Sequence, residues 1–247
     1  MPAIPPTPRH PIVAAALPGI EALRRLWLPF VLIQACALAV VIGYFNSATL
    51  RELCETLARW KTTGGYVFAA AMFAFSGGVL PEVFKFLVGV NRTLDSQRFR
   101  NVAFVCALYA VLGVTTDALQ RWMAGLFGAA NPPAVVVAKM AIDQFLYTPL
   151  FCMPFIAFVY TWREHHFRLS PTLKSLGLAW YVSRVATILI PTWAFWVPMA
   201  TLMYTLPATL NIIFGALASA ASATVVLAVA ERKVARPHHA MANEVPA

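Results

Sequence analysis

Apolar stretches of bilayer length alternate with short polar segments along most of the chain. A membrane-crossing helix needs about 20 consecutive apolar residues, whereas a strand of a membrane barrel needs about 10 of alternating polarity, a pattern that the sequence does not show. We therefore predict an all-α integral membrane protein, a bundle of about six transmembrane helices, some kinked by proline or glycine. The predicted spans are residues 26–45, 66–90, 102–127, 134–162, 176–206 and 207–229.

The same pattern divides the chain into four parts. Residues 1–20 contain six prolines and are predicted to form a disordered tail. Residues 21–65 are predicted to hold an additional first transmembrane helix and an amphipathic helix that ends at Gly65. Residues 66–230 are predicted to form the main helical membrane domain, and residues 231–247 a polar C-terminal tail.

A run of small residues interrupts the second predicted span, where Ser76, Gly77 and Gly78 precede Pro81. Such a break can unwind a helix and turn its carbonyl groups toward a cavity. It can also form a close packing face for a neighbouring helix, followed by a kink. The sequence favours the packing face.

The composition also indicates a membrane protein. Apolar residues make up 60% of the 247 residues and charged residues only 12%, whereas an ordinary soluble domain is roughly 25% charged. In a soluble protein the net charge of +9 would suggest a nucleic-acid partner. Here the basic residues lie between apolar stretches, so membrane lipid is the predicted partner and no nucleic acid is expected.

The distribution of lysine and arginine predicts the orientation. With six spans, twelve basic residues fall on the side that holds both termini, and three, Arg51, Arg59 and Lys61, fall on the other side. Basic residues are concentrated on the cytoplasmic side of membrane proteins. Both termini are therefore predicted to be cytoplasmic, and the predicted location is a bacterial cytoplasmic membrane.

Several ionisable residues fall inside the predicted spans, where each costs about 2.5–3.5 kcal/mol at the bilayer centre. Arg121 and Asp143 are each eleven residues from Pro132, in the turn between two antiparallel helices, so they are predicted at the same depth. Lys139 is four residues from Asp143 and shares its helix face. These three residues are predicted to form one buried cluster. The full set of candidate pore or polar-cluster residues is Asp117, Gln120, Arg121, Lys139, Asp143, Gln144, Glu82 and Lys85.

Two interpretations of these charges remain open. They either line a hydrophilic path or substrate site, or they hold helices together as paired groups. Glu82 and Lys85, three residues apart, are predicted to pair with each other. An aspartyl dyad of Asp117 and Asp143 is less favoured, because their depths differ by about one helical turn and nearby bases would ionise both. Since the sequence has no catalytic motif and no metal-ligand spacing, we predict neither an enzyme nor a cofactor.

A short motif in the fourth predicted span resembles the signature of a known family. Lys139, Asp143, Gln144 and Pro149 match the spacing K-x-x-x-D-Q-x-x-x-x-P. That signature is typical of a eukaryotic membrane family that includes the Mpv-seventeen protein of the mitochondrial inner membrane and the twenty-two-kilodalton peroxisomal membrane protein. The resemblance covers residues 66–230.

Further residues extend or weaken this resemblance. Trp193, Trp196 and Pro198 are similar to the family's W-x-x-W-P segment, with one residue inserted. Asp117 and Gln120 stand where the family has histidine and tyrosine, so the chain resembles a divergent, bacterial member. The resemblance implies a small multi-span protein associated with membrane permeability and often described as channel-forming. It implies no enzyme activity and does not define the transported species.

The buried charges and the resemblance together predict a channel or a small-solute transport protein for an unknown small solute or ion. The alternative is a non-conducting structural or regulatory membrane protein, in which the charges only hold helices together. Small residues at 218–223 permit helix association, so a homo-oligomer is a further expectation.

Overall fold

The computed structural model describes residues 11–87, 95–128 and 130–223. All regular secondary structure in these ranges is helical, which confirms the predicted all-helical class. The helices are α1 (Pro11–Asn46), α2 (Ala48–Phe86), α3 (Ser96–Phe127), α4 (Pro133–Glu164), α5 (Leu169–Ser175), α6 (Leu178–Thr205) and α7 (Ala208–Ala223). A π-helical segment interrupts α2 at Ala74–Val79, α4 at Asp143–Cys152 and α6 at Val182–Ala186.

Five of these helices are long and apolar enough to cross a membrane: the Leu26–Asn46 part of α1, and α2, α3, α4 and α6. Large apolar side chains cover the outside of the bundle, among them Val67 at 78% exposure and Leu150 at 71%. A surface of this kind suits lipid rather than water. The helix α7 is shorter and apolar, and the end of the predicted sixth span lies outside the described residues. Six spans therefore stays a prediction.

The N-terminal part of the chain is more helical than expected. Residues 11–20, which fall in the predicted disordered tail of residues 1–20, belong to α1. Residues 1–10 and the predicted polar tail at 231–247 lie outside the described ranges.

The predicted end of a helix at Gly65 agrees with the structure, because two helical stretches of α2 meet across a kink at this residue. Gly65 has φ 53° and ψ −131°, a non-helical backbone conformation that glycine adopts readily because it has no Cβ. At its start, α2 follows α1 after a single residue, Ser47, whose hydroxyl accepts from the Leu50 N–H at 3.3 Å. The Arg51 guanidinium donates back to the Phe45 carbonyl at 2.7 Å, which caps the end of α1.

The small residues of α2 form a packing face against α3, as the sequence favoured. Gly77 lies directly under the Tyr109 ring, and Gly78 lies against Cys106. The segment Ala74–Val79 is π-helical and not unwound, and Gly77 and Gly78 are both buried. The absence of a Cβ lets the two helices approach closely along this face.

Side chains from neighbouring helices replace hydrogen bonds that prolines cannot donate. Pro149 lies in the π-helical part of α4, where its missing N–H would bond to the carbonyl of Gln144, five residues earlier. The Trp193 indole donates to that Gln144 carbonyl at 2.7 Å. Likewise, Pro198 cannot donate to the Ala194 carbonyl, and the side-chain amide of Gln34 in α1 donates to it at 3.1 Å. These bonds tie α6 to α4 and to α1.

We expect Trp193→Phe to lower the free energy of unfolding by about 1–2 kcal/mol, because the buried Gln144 carbonyl loses its indole donor. In the Pro149→Ala background a backbone N–H is restored near that carbonyl, and the loss from Trp193→Phe should be smaller. Unfolding in mixed detergent micelles, arranged as a double-mutant cycle, measures both changes. Fully additive losses would show that the indole does not substitute for the missing N–H.

Candidate functional site

A buried ion cluster lies near the end of the bundle that holds the turn between α3 and α4, called here the turn end. The Asp117 carboxylate accepts from Lys61 Nζ at 2.9 Å and from Arg121 Nε at 3.0 Å. Lys61 and Asp117 are buried, whereas Arg121 is half-exposed and stacks over the Tyr66 ring at 4.7 Å. Because Lys61 comes from α2 and the other two charges from α3, the cluster joins these helices.

The predicted cluster of Arg121, Lys139 and Asp143 does not form. Lys139 Nζ donates instead to the side chain of Asn131 in the turn, at 2.7 Å. Asp143 accepts from the Tyr204 hydroxyl of α6 at 3.0 Å, and within the described ranges no ion pair joins it to a base. Long helical side chains point back toward the N-terminus of their helix. The Lys139 side chain therefore extends toward the turn and away from Asp143.

A second charged layer lies near the opposite end of the bundle, called here the basic end. The predicted pair of Glu82 and Lys85 is confirmed, at 2.6 Å. Arg98 of α3 also donates to Glu82, at 2.9 Å, so this layer too joins α2 to α3. Arg163 at the end of α4 donates to the side chain of Asn101 in α3.

Between the two charged layers lies a cavity of about 140 Å³, called here the central cavity. Asp143, Gln120 and Gln144 line it, and each is at least nine-tenths buried. Within the part of the chain that the structure describes, the Oε1 atoms of Gln120 and Gln144 are buried and accept no hydrogen bond. Hydroxyl groups complete the polar lining, from Thr116, Tyr147, Thr148, Thr192, Ser219 and Ser222.

The central cavity is the middle one of three cavities that follow one another along α3. At the turn end, a cavity of about 180 Å³ is lined by Lys61, Asp117 and Arg121 and shares Gln120 with it. At the basic end, a cavity of about 330 Å³ shares Tyr109 with it and is lined by Glu82, Lys85, Asn101 and Arg163. From Arg121 to Asn101, α3 rises about 30 Å, which is the thickness of a bilayer's hydrocarbon core.

Sequence reasoning missed three residues of this site. Lys61 was expected in an exposed amphipathic segment, but it is buried against Asp117. The number of residues to the connection between α2 and α3 would have indicated this pair. Lys61 and Asp117 are equally far from residue 89, so they lie at the same level of two antiparallel helices. The spacing of charged and amide residues along the sequence points to neither Tyr109 nor Tyr204.

Asp117 and Asp143, the two residues of the less favoured aspartyl dyad, are found in different cavities. Asp117 lines the turn-end cavity and Asp143 lines the central cavity. In the described ranges, no group of three or more histidine, cysteine, aspartate or glutamate side chains lies close enough to hold a metal ion.

No family model matches the chain, and no curated protein and no solved structure matches it either. The resemblance to the Mpv-seventeen family therefore stays a prediction. Three residues of its motif contribute to the geometry described above. Asp143 and Gln144 line the central cavity. Pro149 has no N–H for the Gln144 carbonyl, which accepts from the Trp193 indole.

Proposed function

We propose that this protein passes a small polar solute through a membrane, as a channel or a transporter. The observation that supports the proposal is the series of three cavities, which follows α3 over about the thickness of a bilayer core. Polar residues of α3 line this series, among them Asn101, Thr116 and Gln120, whereas the outside of the bundle is rich in exposed apolar side chains.

The unpartnered amide oxygens of Gln120 and Gln144 also support a solute site. A buried acceptor without a partner costs about 1–3 kcal/mol. A bundle selected for stability alone would place apolar side chains at both positions. A solute or water molecules that bind in the central cavity would satisfy these oxygens.

Two residues each line two of the three cavities. Gln120 lines the turn-end and central cavities, and Tyr109 lines the central and basic-end cavities. The Tyr109 ring lies against Gly77, at a position where a Cβ would overlap it. We propose that rotation of the Gln120 side chain opens a passage between the turn-end and central cavities, and that rotation of the Tyr109 side chain opens one between the central and basic-end cavities.

The test is solute-driven swelling of vesicles that contain the purified full-length protein, with urea and glycerol as the probes. We expect uptake faster than in protein-free vesicles. Thr148→Phe should reduce it at least about tenfold, because a phenyl ring fills much of a cavity that is comparable in size to one that holds benzene. Leu150→Phe is the matched control, since Leu150 lies on the same helix, is 71% exposed and should leave uptake unchanged.

We expect Tyr109→Ala to raise solute uptake several-fold in the same assay, because it removes a ring that lines both the central and basic-end cavities. Phe104→Ala, five residues away on α3, is the matched aromatic control, since Phe104 lines none of the three cavities. Uptake at the protein-free level in the unaltered protein and in Tyr109→Ala would overturn the proposed function. It would favour the non-conducting structural role, for which the helix-joining pair of Lys61 and Asp117 is the supporting observation.

We further propose six membrane spans, with α7 forming part of the sixth and both termini on the cytoplasmic side of a bacterial membrane. The excess of basic residues on that side supports this orientation. Reporter fusions to the two termini should show the same cytoplasmic location, and opposite locations would reject it.

A further inference from the structure

We propose that the central cavity binds a small primary organic ammonium ion, with the Asp143 carboxylate as its counter-ion and the side-chain oxygens of Gln120 and Gln144 as acceptors. This inference rests on the proposed function, since it names the class of solute that occupies the middle of the series.

The unsatisfied groups of the central cavity are hydrogen-bond acceptors. Within the described residues, Gln120 Oε1 and Gln144 Oε1 are buried without a donor. The Asp143 carboxylate accepts from the Tyr204 hydroxyl and interacts with the Gln144 side-chain amide. A matching ligand must therefore supply several donors. A primary ammonium group carries three N–H donors and no acceptor, so one such group can serve all three side chains.

The charge of the ligand follows from the ion pairs of the described residues, none of which joins a base to Asp143. Lys139, one turn earlier on α4, donates to Asn131 and makes no ion pair with Asp143. A buried carboxylate without a counter-charge is costly, especially inside a membrane. A bound cation provides the missing charge.

The size and the apolar lining of the central cavity favour an organic cation over a bare metal ion. The volume of about 140 Å³ is close to that of a cavity that holds benzene, which corresponds to about six non-hydrogen atoms. Phe73, Tyr109 and Trp196 line it, together with Leu112 and Ile156. These side chains suit a short hydrocarbon group, and aromatic rings also attract an ammonium ion.

The charged layers at the two ends do not select for cations. The turn-end cluster has two bases, Lys61 and Arg121, for the single carboxylate of Asp117. At the basic end, Lys85 and Arg98 share the Glu82 carboxylate, and the Asp95 carboxylate accepts from the Arg98 backbone N–H. Neither layer presents a surplus of carboxylates to a cation, so the selection for charge depends on Asp143.

Equilibrium binding to the full-length protein in lipid nanodiscs tests the inference independently of transport. The probes are isopentylammonium, its neutral analogue 3-methylbutan-1-ol, and tetramethylammonium, which carries charge but no N–H donor. We expect isopentylammonium to bind at least about tenfold more tightly than either analogue, a difference of about 1.4 kcal/mol. Equal affinity for the alcohol, or tighter binding of sodium or potassium ions, would overturn the inference.

Variants of two residues separate binding from folding. Asp143→Asn keeps an acceptor for Tyr204 and should weaken isopentylammonium binding at least about tenfold, whereas Glu164→Gln on the same helix removes an exposed carboxylate and should have no effect. Gln120→Met should weaken binding and raise the thermal stability of the ligand-free protein, because it removes an unpartnered buried oxygen. Unchanged binding in both Asp143→Asn and Gln120→Met would overturn the site.

The two assays also distinguish this inference from the proposed function. Uptake of urea without isopentylammonium binding would reject the ammonium site and leave the transport proposal standing. Binding without uptake of any probe would reject transport and leave the ammonium site standing.

Discussion

Asp117→Asn should lower the free energy of unfolding by about 3–5 kcal/mol, because it leaves a buried ammonium group without a counter-charge. Lys61 is only 5% exposed and its Nζ lies 2.9 Å from the carboxylate. Arg121 loses the same partner, but its side chain is 48% exposed and water solvates it. Unfolding in mixed detergent micelles, followed by circular dichroism, measures the loss.

Removing Lys61 and removing Asp117 should not cost the same free energy of unfolding. Lys61→Met should cost clearly less than Asp117→Asn, because Asp117 keeps its bond to Arg121 at 3.0 Å. Lys61→Met combined with Asp117→Leu removes both buried charges and should recover most of the loss. The exposed pair of Glu164 and Arg184 is the control, and Glu164→Gln should change stability by less than about 1 kcal/mol. Equal losses from the two single substitutions would contradict the cluster as the structure shows it.

Gly113→Ala should destabilise the protein by about 3 kcal/mol, because it forces α2 and α3 apart. A Cβ on Gly113 would meet the Ala69 carbonyl carbon and the Phe73 Cβ at 2.9 Å, and it would crowd the Ala69 carbonyl oxygen more closely still. These are backbone atoms and a Cβ, which cannot rotate away. The approach depends on a glycine at this buried position of α3.

Gly125→Ala, on the same helix, is the matched control for Gly113→Ala. No heavy atom lies within 4 Å of the position that its Cβ would occupy. Alanine is favoured over glycine inside a helix by about 0.5–1 kcal/mol, so this variant should be slightly more stable. Opposite signs for the two substitutions would support the helix contact, and a stable Gly113→Ala variant would contradict it. Thermal unfolding of both purified variants in the same detergent decides the question.

Charge positions were only partly predictable from spacing. The pair of Glu82 and Lys85 follows from three residues along one helix, and local geometry was enough to predict it. The contact of Lys139 with Asp143 was wrong although the spacing was equally favourable, because Asn131 in the turn offers a competing partner. Helical spacing predicts which side chains share a face. The residues that surround this face decide which of the possible partners is bound.

The sequence by itself determined the helical class, the apolar segments and the residues that lipid would reject, because these depend on composition and run length alone. The tertiary structure decided the pairing of Lys61 with Asp117, the three cavities and the unpartnered oxygens of Gln120 and Gln144. The physical reason is that the polar residues of α3 are spread around the helix and are not gathered on one face. Such a helix has no single polar face that would indicate its rotation within the bundle. Its inward residues are known only once the neighbouring helices have packed against it.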